Sequence, residues 1–220
     1  MKLIITLILA LCLGAPSFAG TGIKRPALSK NKRPVRILFL GNSFTYFHDL
    51  YLKVAELTGG ETKQNVKGGA FLSEQLDVNT DLGKRAAALF KEQKWDYVVL
   101  QEQSSGPMLQ KERFQSAADE LCRIIRENGA TPVFYCTWPY RDGSDKLKQT
   151  GKTYGEMFVA LTESYHEAAE RNNALAADVG TAFYNSKTDL LEPDAFHPNT
   201  QGTALAAEVI SEVILKDFGK

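Results

Sequence analysis

Val35-Arg36-Ile37-Leu38-Phe39-Leu40-Gly41-Asn42-Ser43-Phe44 opens as an apolar run and closes on a serine that follows Gly-Asn. A run of strand length broken by a single charge is the pattern of a strand covered on both faces, as in a parallel sheet. Ser43 then stands where the strand ends. It is either a nucleophile presented at the sheet's carboxyl edge or only the N-cap of the next helix, a place serine often fills. A bare Gly-x-Ser does not choose between the two.

Working outward, strand-like runs recur at Asp96 to Gln101, Pro132 to Thr137 and Leu175 to Val179, with a weaker one at Gln64 to Val66. Between them Phe114, Ala118, Leu121 and Ile125 fall at helical spacing, as do Phe158, Leu161, Tyr165 and Ala168, and later Leu205, Val209 and Val213. Thr153 and Glu156 have the spacing of a capping box, which starts a helix that ends before Asn172 and Asn173. The order βαβαβαβα predicts an α/β fold: a three-layer sandwich with a flavodoxin-like parallel sheet of about five strands and helices on both faces. Ligands of such sheets bind outside the carboxyl ends of the strands. The loops after Leu40, Val66, Gln101, Thr137 and Val179 should therefore crowd one edge.

The chain has 220 residues, enough for one domain with a sizeable core. Lys plus Arg and Asp plus Glu number 26 each, so no net field points to nucleic acid or an anionic membrane as partner. Residues 1–19 read as a signal peptide: Lys2 is the positive start, Leu3 to Leu13 the apolar core and Ser17-Phe18-Ala19 the cleavage site. Gly14 and Pro16 break the run short of a comfortable span, so the expected product is exported, periplasmic or secreted, with no stable membrane insertion after cleavage. Residues 20–34, rich in Lys and Arg, read as a solvated linker, and residues 35–220 as the domain.

Cleavage leaves Cys122 and Cys136 in a compartment that permits a disulfide; spacing does not say whether they pair, and one on a helical apolar stripe with one in a strand fits two buried free thiols better. His48, His166 and His197 show no ligand spacing with them, so neither metal nor other cofactor is expected. For His48 and His166 no carboxylate partner is apparent at useful spacing, and both read as structural, His48 on the surface of the first helix.

Asp194-Ala-Phe-His197-Pro198 is the second informative stretch. A serine nucleophile needs a base within hydrogen-bond reach, and the base needs a carboxylate to hold its tautomer. An aspartate three residues before a histidine can supply that from one turn, although Asp194 could equally cap a turn beside an ordinary loop histidine. Pro198 biases His197 toward extended backbone, out of the helix that Asn199 or Thr200 would cap. Asp178 is an alternative carboxylate, ranked lower because it does not share a loop with His197.

A serine after the first strand and an Asp-x-x-His after the last resembles the SGNH, or GDSL-like, hydrolases over residues 35–217 or so. Gly41-Asn42-Ser43 matches the family's first block, which more often reads Gly-Asp-Ser, and Asp194-x-x-His197-Pro198 its last. The look is closest to the branch opening Leu-Gly-Asn-Ser-Phe-Thr. The resemblance implies a catalytic set of Ser43, Asp194 and His197. It also implies an oxyanion hole made by the backbone N–H of Ser43, a glycine after the second strand and an asparagine after the third. Gly69 of Gly68-Gly69-Ala70 fits the glycine. The third block departs from Gly-x-Asn-Asp and reads Gln101-Glu102-Gln103-Ser104-Ser105-Gly106. A glutamine amide can replace an asparagine amide as donor, which favours Gln103, while counting from the strand gives Ser105.

The activity implied is that of an exported serine esterase on O-acyl esters, with a small-molecule or glycan ester as substrate and carbohydrate deacetylation favoured. The polar stretch from Arg141 to Lys148 argues against an acyl-chain groove, the rival reading of a lysophospholipase or thioesterase. The altered third block keeps a noncatalytic glycan-binding domain in view. Trp138-Pro139-Tyr140 should sit at the active edge, to stack on a sugar or to close the core.

Overall fold

The computed structural model describes residues 33–219. The expected signal peptide, and the expected linker up to Lys32, lie outside the described residues. Strands β1 (Arg36–Gly41), β2 (Glu61–Val66), β3 (Tyr97–Leu100), β4 (Thr131–Tyr135) and β5 (Leu175–Ala177) form one parallel sheet in the order β2-β1-β3-β4-β5. That is the doubly wound order of flavodoxin-like sheets. Among the described residues the helices are α1 (Ser43–Tyr46), α2 (Leu50–Thr58), α3 (Asp81–Glu92), α4 (Gly106–Leu109), α5 (Lys111–Asn128), α6 (Asp145–Lys148), α7 (Tyr154–Arg171), α8 (Val179–Tyr184) and α9 (Thr200–Phe218).

The period of two along β1 divides the interior. Ile37 and Phe39 pack with Val99, Val133 and Tyr135 against α2, α8 and α9, while Leu38 and Leu40 pack with Val98, Leu100 and Phe134 against α5 and α7. Helices thus cover both faces, giving the expected three layers. Truncating any of these central side chains to alanine would cost about 2–5 kcal/mol.

Strand β2 is longer than its sequence pattern suggests. It lies at the sheet's edge, where Glu61 and Lys63 face solvent in alternation and leave no apolar run to read, and such charges also blunt an open edge. Strand β5 is shorter, because Asp178 and Val179 turn directly into α8. The capping box closes as its spacing predicts: Thr153 N–H donates to Glu156 at 2.8 Å and Glu156 N–H to the Thr153 hydroxyl at 3.2 Å. Asn199 caps α9 by accepting from Gly202 N–H at 2.9 Å. Among the described residues no helix is long and apolar enough to cross a membrane.

Candidate active site

Helix α1 begins at Ser43, directly beyond the carboxyl end of β1. Asn42 provides its cap, accepting from Phe44 N–H at 3.2 Å, so the serine itself is spared that duty. His197 Nε2 lies 2.8 Å from Ser43 Oγ, and His197 Nδ1 lies 2.6 Å from Asp194 Oδ2. The fold therefore joins residues 154 positions apart into one serine–histidine–aspartate chain.

The loop carrying the histidine is pinned at its base. Leu191 and Pro198 form an antiparallel bridge, Glu192 N–H donates to His197 O at 2.8 Å, and Asn199 N–H donates to Leu190 O at 2.9 Å. Ala195 takes a left-handed φ of 73°, uncommon for a residue with a Cβ, and this turns Asp194 back beneath His197. Asp194 Oδ1 then accepts the N–H groups of Phe196 and His197 at 3.1 and 3.0 Å. Burial pushes the Asp194 carboxyl up, but the hydrogen bonds from the His197 ring and the two amides outweigh it and hold the group below its ordinary range. The imidazole is also clamped by rings: Phe47 stacks on it at 4.1 Å and 3°, and Phe196 lies against it at 4.0 Å.

Opposite the serine, Gly69 adopts a φ of 69°, a conformation that glycine accepts without penalty. Asn42 Nδ2 donates to Ala70 O at 3.0 Å and so ties this turn to the start of α1. An aspartate, the commoner family residue, could not make that bond. The N–H groups of Ser43 and Gly69 have no hydrogen-bond partner among the described residues, and both residues line one cavity of about 320 Å³. Gln103 and Ser104 line it too, as do Tyr46, Tyr140, Lys146, Phe196 and His197. Gln103 Oε1 accepts from Ser105 N–H and Oγ–H at 2.9 and 3.1 Å, which turns Nε2 toward Ser104 Oγ at 3.2 Å. Ser105, the alternative in the sequence, thus orients the Gln103 amide rather than lining the cavity.

A second cavity, about 330 Å³ between α3 and α5, brings no serine or histidine to its wall. Beneath the site Trp138 is buried, stacked on Phe44 at 4.7 Å and on Phe183 at 3.9 Å, with Nε1–H donating to Phe196 O at 3.0 Å. It closes the core, whereas Tyr140, two residues on, reaches the cavity.

Several participants carry no sequence signal. Gln101 Oε1 accepts from Asn42 N–H at 3.0 Å and Thr45 Oγ1 at 3.1 Å, locking the β1–α1 turn. Glu102 is fully buried and accepts from Leu72 N–H at 3.3 Å and Gln103 N–H at 2.5 Å. Burial pushes its carboxyl up to about 7 in spite of those amides. Lys146 places its ammonium 3.9 Å above the Phe196 ring.

Two expectations are corrected. His48 is not on a regular helix; it has a φ of 48° in the turn Phe47–Asp49 and meets Glu192 at 2.9 Å. His166 meets Asp178 at 2.5 Å. Glu192 lies 144 positions from His48, and Asp178 meets His166 only where the end of β5 packs beside α7, so neither pair shows in the spacing along the chain. Cys122 and Cys136 are free and buried.

A hydroxyl, an imidazole and a carboxylate in series on the carboxyl edge of a doubly wound sheet define a hydrolase-like α/β protein. Among solved structures, the chain is similar to a protein from Slackia heliotrinireducens assigned to the SGNH hydrolases, with 36% identity, 83% of this chain and 100% of that one covered, and a TM-score of 0.81. It shares its fold with a DUF4886 family protein from Bacteroides uniformis, at 20% identity, 84% coverage of each chain and a TM-score of 0.65. The same holds for a psychrotrophic esterase from Pseudoalteromonas sp., at 16% identity, coverage of 84% and 99% and a TM-score of 0.60. No family model and no curated protein matches the chain. The chain belongs to the SGNH hydrolases, a family of ester hydrolases.

Proposed function

We propose that the protein is an exported serine esterase that removes short O-acyl groups, acetyl above all, from a carbohydrate. The observation that carries the mechanism is the 2.8 Å approach of His197 Nε2 to Ser43 Oγ, with Asp194 2.6 Å behind the ring on Nδ1. His197 takes the hydroxyl proton as Ser43 Oγ attacks the ester carbonyl, and Asp194 holds the tautomer and stabilises the imidazolium. The N–H groups of Ser43 and Gly69 meet the oxyanion, joined by the Gln103 amide. His197 then protonates the departing alcohol, and water repeats the sequence on the acyl-serine to release the acid and free Ser43.

The lining supports a sugar ester as substrate. Gln103, Ser104, Tyr46 and Tyr140 offer hydrogen bonds to hydroxyls beside the Phe196 ring. A long acyl chain would strip water from those polar groups and pair with none of them. Export is supported by the charged start, apolar core and small-residue site of residues 1–19.

The test compares acetate release from acetylated polysaccharide with hydrolysis of p-nitrophenyl acetate and p-nitrophenyl palmitate. Short esters should turn over well ahead of the palmitate, and Ser43→Ala should lower kcat by about 10⁴-fold or more. Equal rates in wild type and Ser43→Ala would remove the serine as nucleophile. A preference for palmitate would favour an acyl-chain hydrolase, and glycan binding without turnover a noncatalytic domain.

A further inference from the structure

Away from Ser43, the same sheet edge gathers a second set of ligating side chains. Cys136 follows β4, Asp178 follows β5 and His166 projects from α7, and one ligand atom of each lies within 4.8 Å of the others. With β3 between β1 and β4, the set stands two to three strand positions from Ser43, roughly 10–15 Å by strand spacing.

The scaffold beneath these side chains is fixed. Cys136 N–H donates to Ala177 O at 3.1 Å and Gly180 N–H donates to Cys136 O at 2.8 Å, so the backbone on both sides of Asp178 is tied to Cys136. Gly180 is required for this: a Cβ there would meet Thr137 O at 2.2 Å. Asp178 also behaves unlike an ordinary cap. It occupies the N-cap position of α8, yet its side chain makes no cap hydrogen bond and turns instead to His166 Nε2 at 2.5 Å. A carboxylate diverted from a helix start toward an imidazole and a thiol is arranged for something other than holding the helix.

We propose that Cys136, His166 and Asp178 bind one thiophilic divalent cation of the zinc class. The donor set of one sulfur, one nitrogen and one oxygen suits a borderline-soft ion and disfavours magnesium or calcium, which take oxygen ligands. Three protein ligands leave a fourth position, and the His166 and Asp178 side chains, 42% and 44% exposed, open it to solvent. On binding, the thiol releases its proton to solvent and the sulfur ligates as thiolate, while His166 ligates through Nε2 and keeps its proton on Nδ1. The ion would replace the His166–Asp178 hydrogen bond and clip α7 to the ends of β4 and β5.

The test is titration of the chelator-treated full-length protein with Co²⁺, followed by displacement with Zn²⁺. One equivalent should bind and give a thiolate-to-cobalt absorption band that Zn²⁺ abolishes. Cys136→Ala should lose the band, and His166→Gln and Asp178→Asn should each weaken binding by about tenfold or more, as loss of a ligand requires. Zn²⁺ should raise the Tm of the wild type and leave that of His166→Gln unmoved, a readout that serves even where Cys136→Ala does not fold. Absence of saturable Co²⁺ binding, or the same affinity and spectrum in His166→Gln, would overturn the proposal.

Discussion

Two histidines on one sheet edge each meet an aspartate, and they do so through different atoms. His197 gives Nδ1 to Asp194 and keeps Nε2 for the Ser43 hydroxyl; His166 gives Nε2 to Asp178. The first arrangement leaves a proton-accepting nitrogen aimed at an oxygen nucleophile. In the second, the carboxylate occupies that nitrogen, and the Cys136 sulfur lies within 4.8 Å of both groups. Similar residue types therefore support a catalytic relay at one end of the edge and ligation at the other, and the difference lies in which ring nitrogen faces the acid.

The sharpest way to break that comparison is at Asp194. Asp194→Asn should lower kcat on p-nitrophenyl acetate by roughly 10² to 10⁴-fold, because an amide neither fixes the same tautomer nor stabilises the imidazolium. The side chain is 41% exposed, which places the expectation in the lower part of that span. A loss smaller than about threefold would mean that the aromatic clamp alone orients His197, and the contrast with His166 would then rest on rings rather than on the acid.

Glu102 tests how the third strand's loop is held. Its folded-state carboxyl is raised from the ordinary 4.5 to about 7, chiefly by burial. A group that binds its proton more tightly when folded contributes stability that is complete below pH ~4.5 and lost as pH rises through about 7, worth about 3 kcal/mol across that window. Glu102→Gln keeps an acceptor for Leu72 N–H and Gln103 N–H without the charge. Its unfolding free energy by urea should match the wild type at pH ~4.5 and below, exceed it increasingly as pH rises from ~4.5 to ~7, and exceed it by a constant margin above that. Parallel pH profiles for the two proteins would show that the buried carboxyl titrates normally.

The extent to which all this is legible in sequence follows from the range of the interactions. Strand β1 and the helix faces of α5, α7 and α9 could be read because their apolar spacing is local. The Asp194-x-x-His197 pair was legible for the same reason, being closed within one turn. The edge strand β2 was not, since its polar alternation carries no apolar signal. Gln101 and Glu102 sit in a block where the family pattern fails, and their roles depend on partners 30 to 59 positions away. Amide chemistry favours Gln103 in the sequence, but only the fold assigns Ser105 to orienting it. The carboxylates that meet His48 and His166 leave no sequence signal, because spacing along the chain is no guide to segments that meet only in the fold.

The finest distinction between the two histidines is the ring stacked on His197. Phe47 lies 4.1 Å from it at 3°, yet it does not line the cavity where substrate would sit. Its expected contribution is to hold the imidazole face, an interaction of about 0.5–1.5 kcal/mol. Phe47→Ala should therefore lower kcat about 3- to 10-fold and leave KM within about twofold. Phe47→Leu retains apolar cover without the stacked ring and should recover only part of the rate. The split between kcat and KM decides the role, because a ring that touched substrate would raise KM when removed. A rise in KM at constant kcat would move Phe47 from holding the base to binding the ester, and the clamp on His197 would reduce to Phe196 and Asp194.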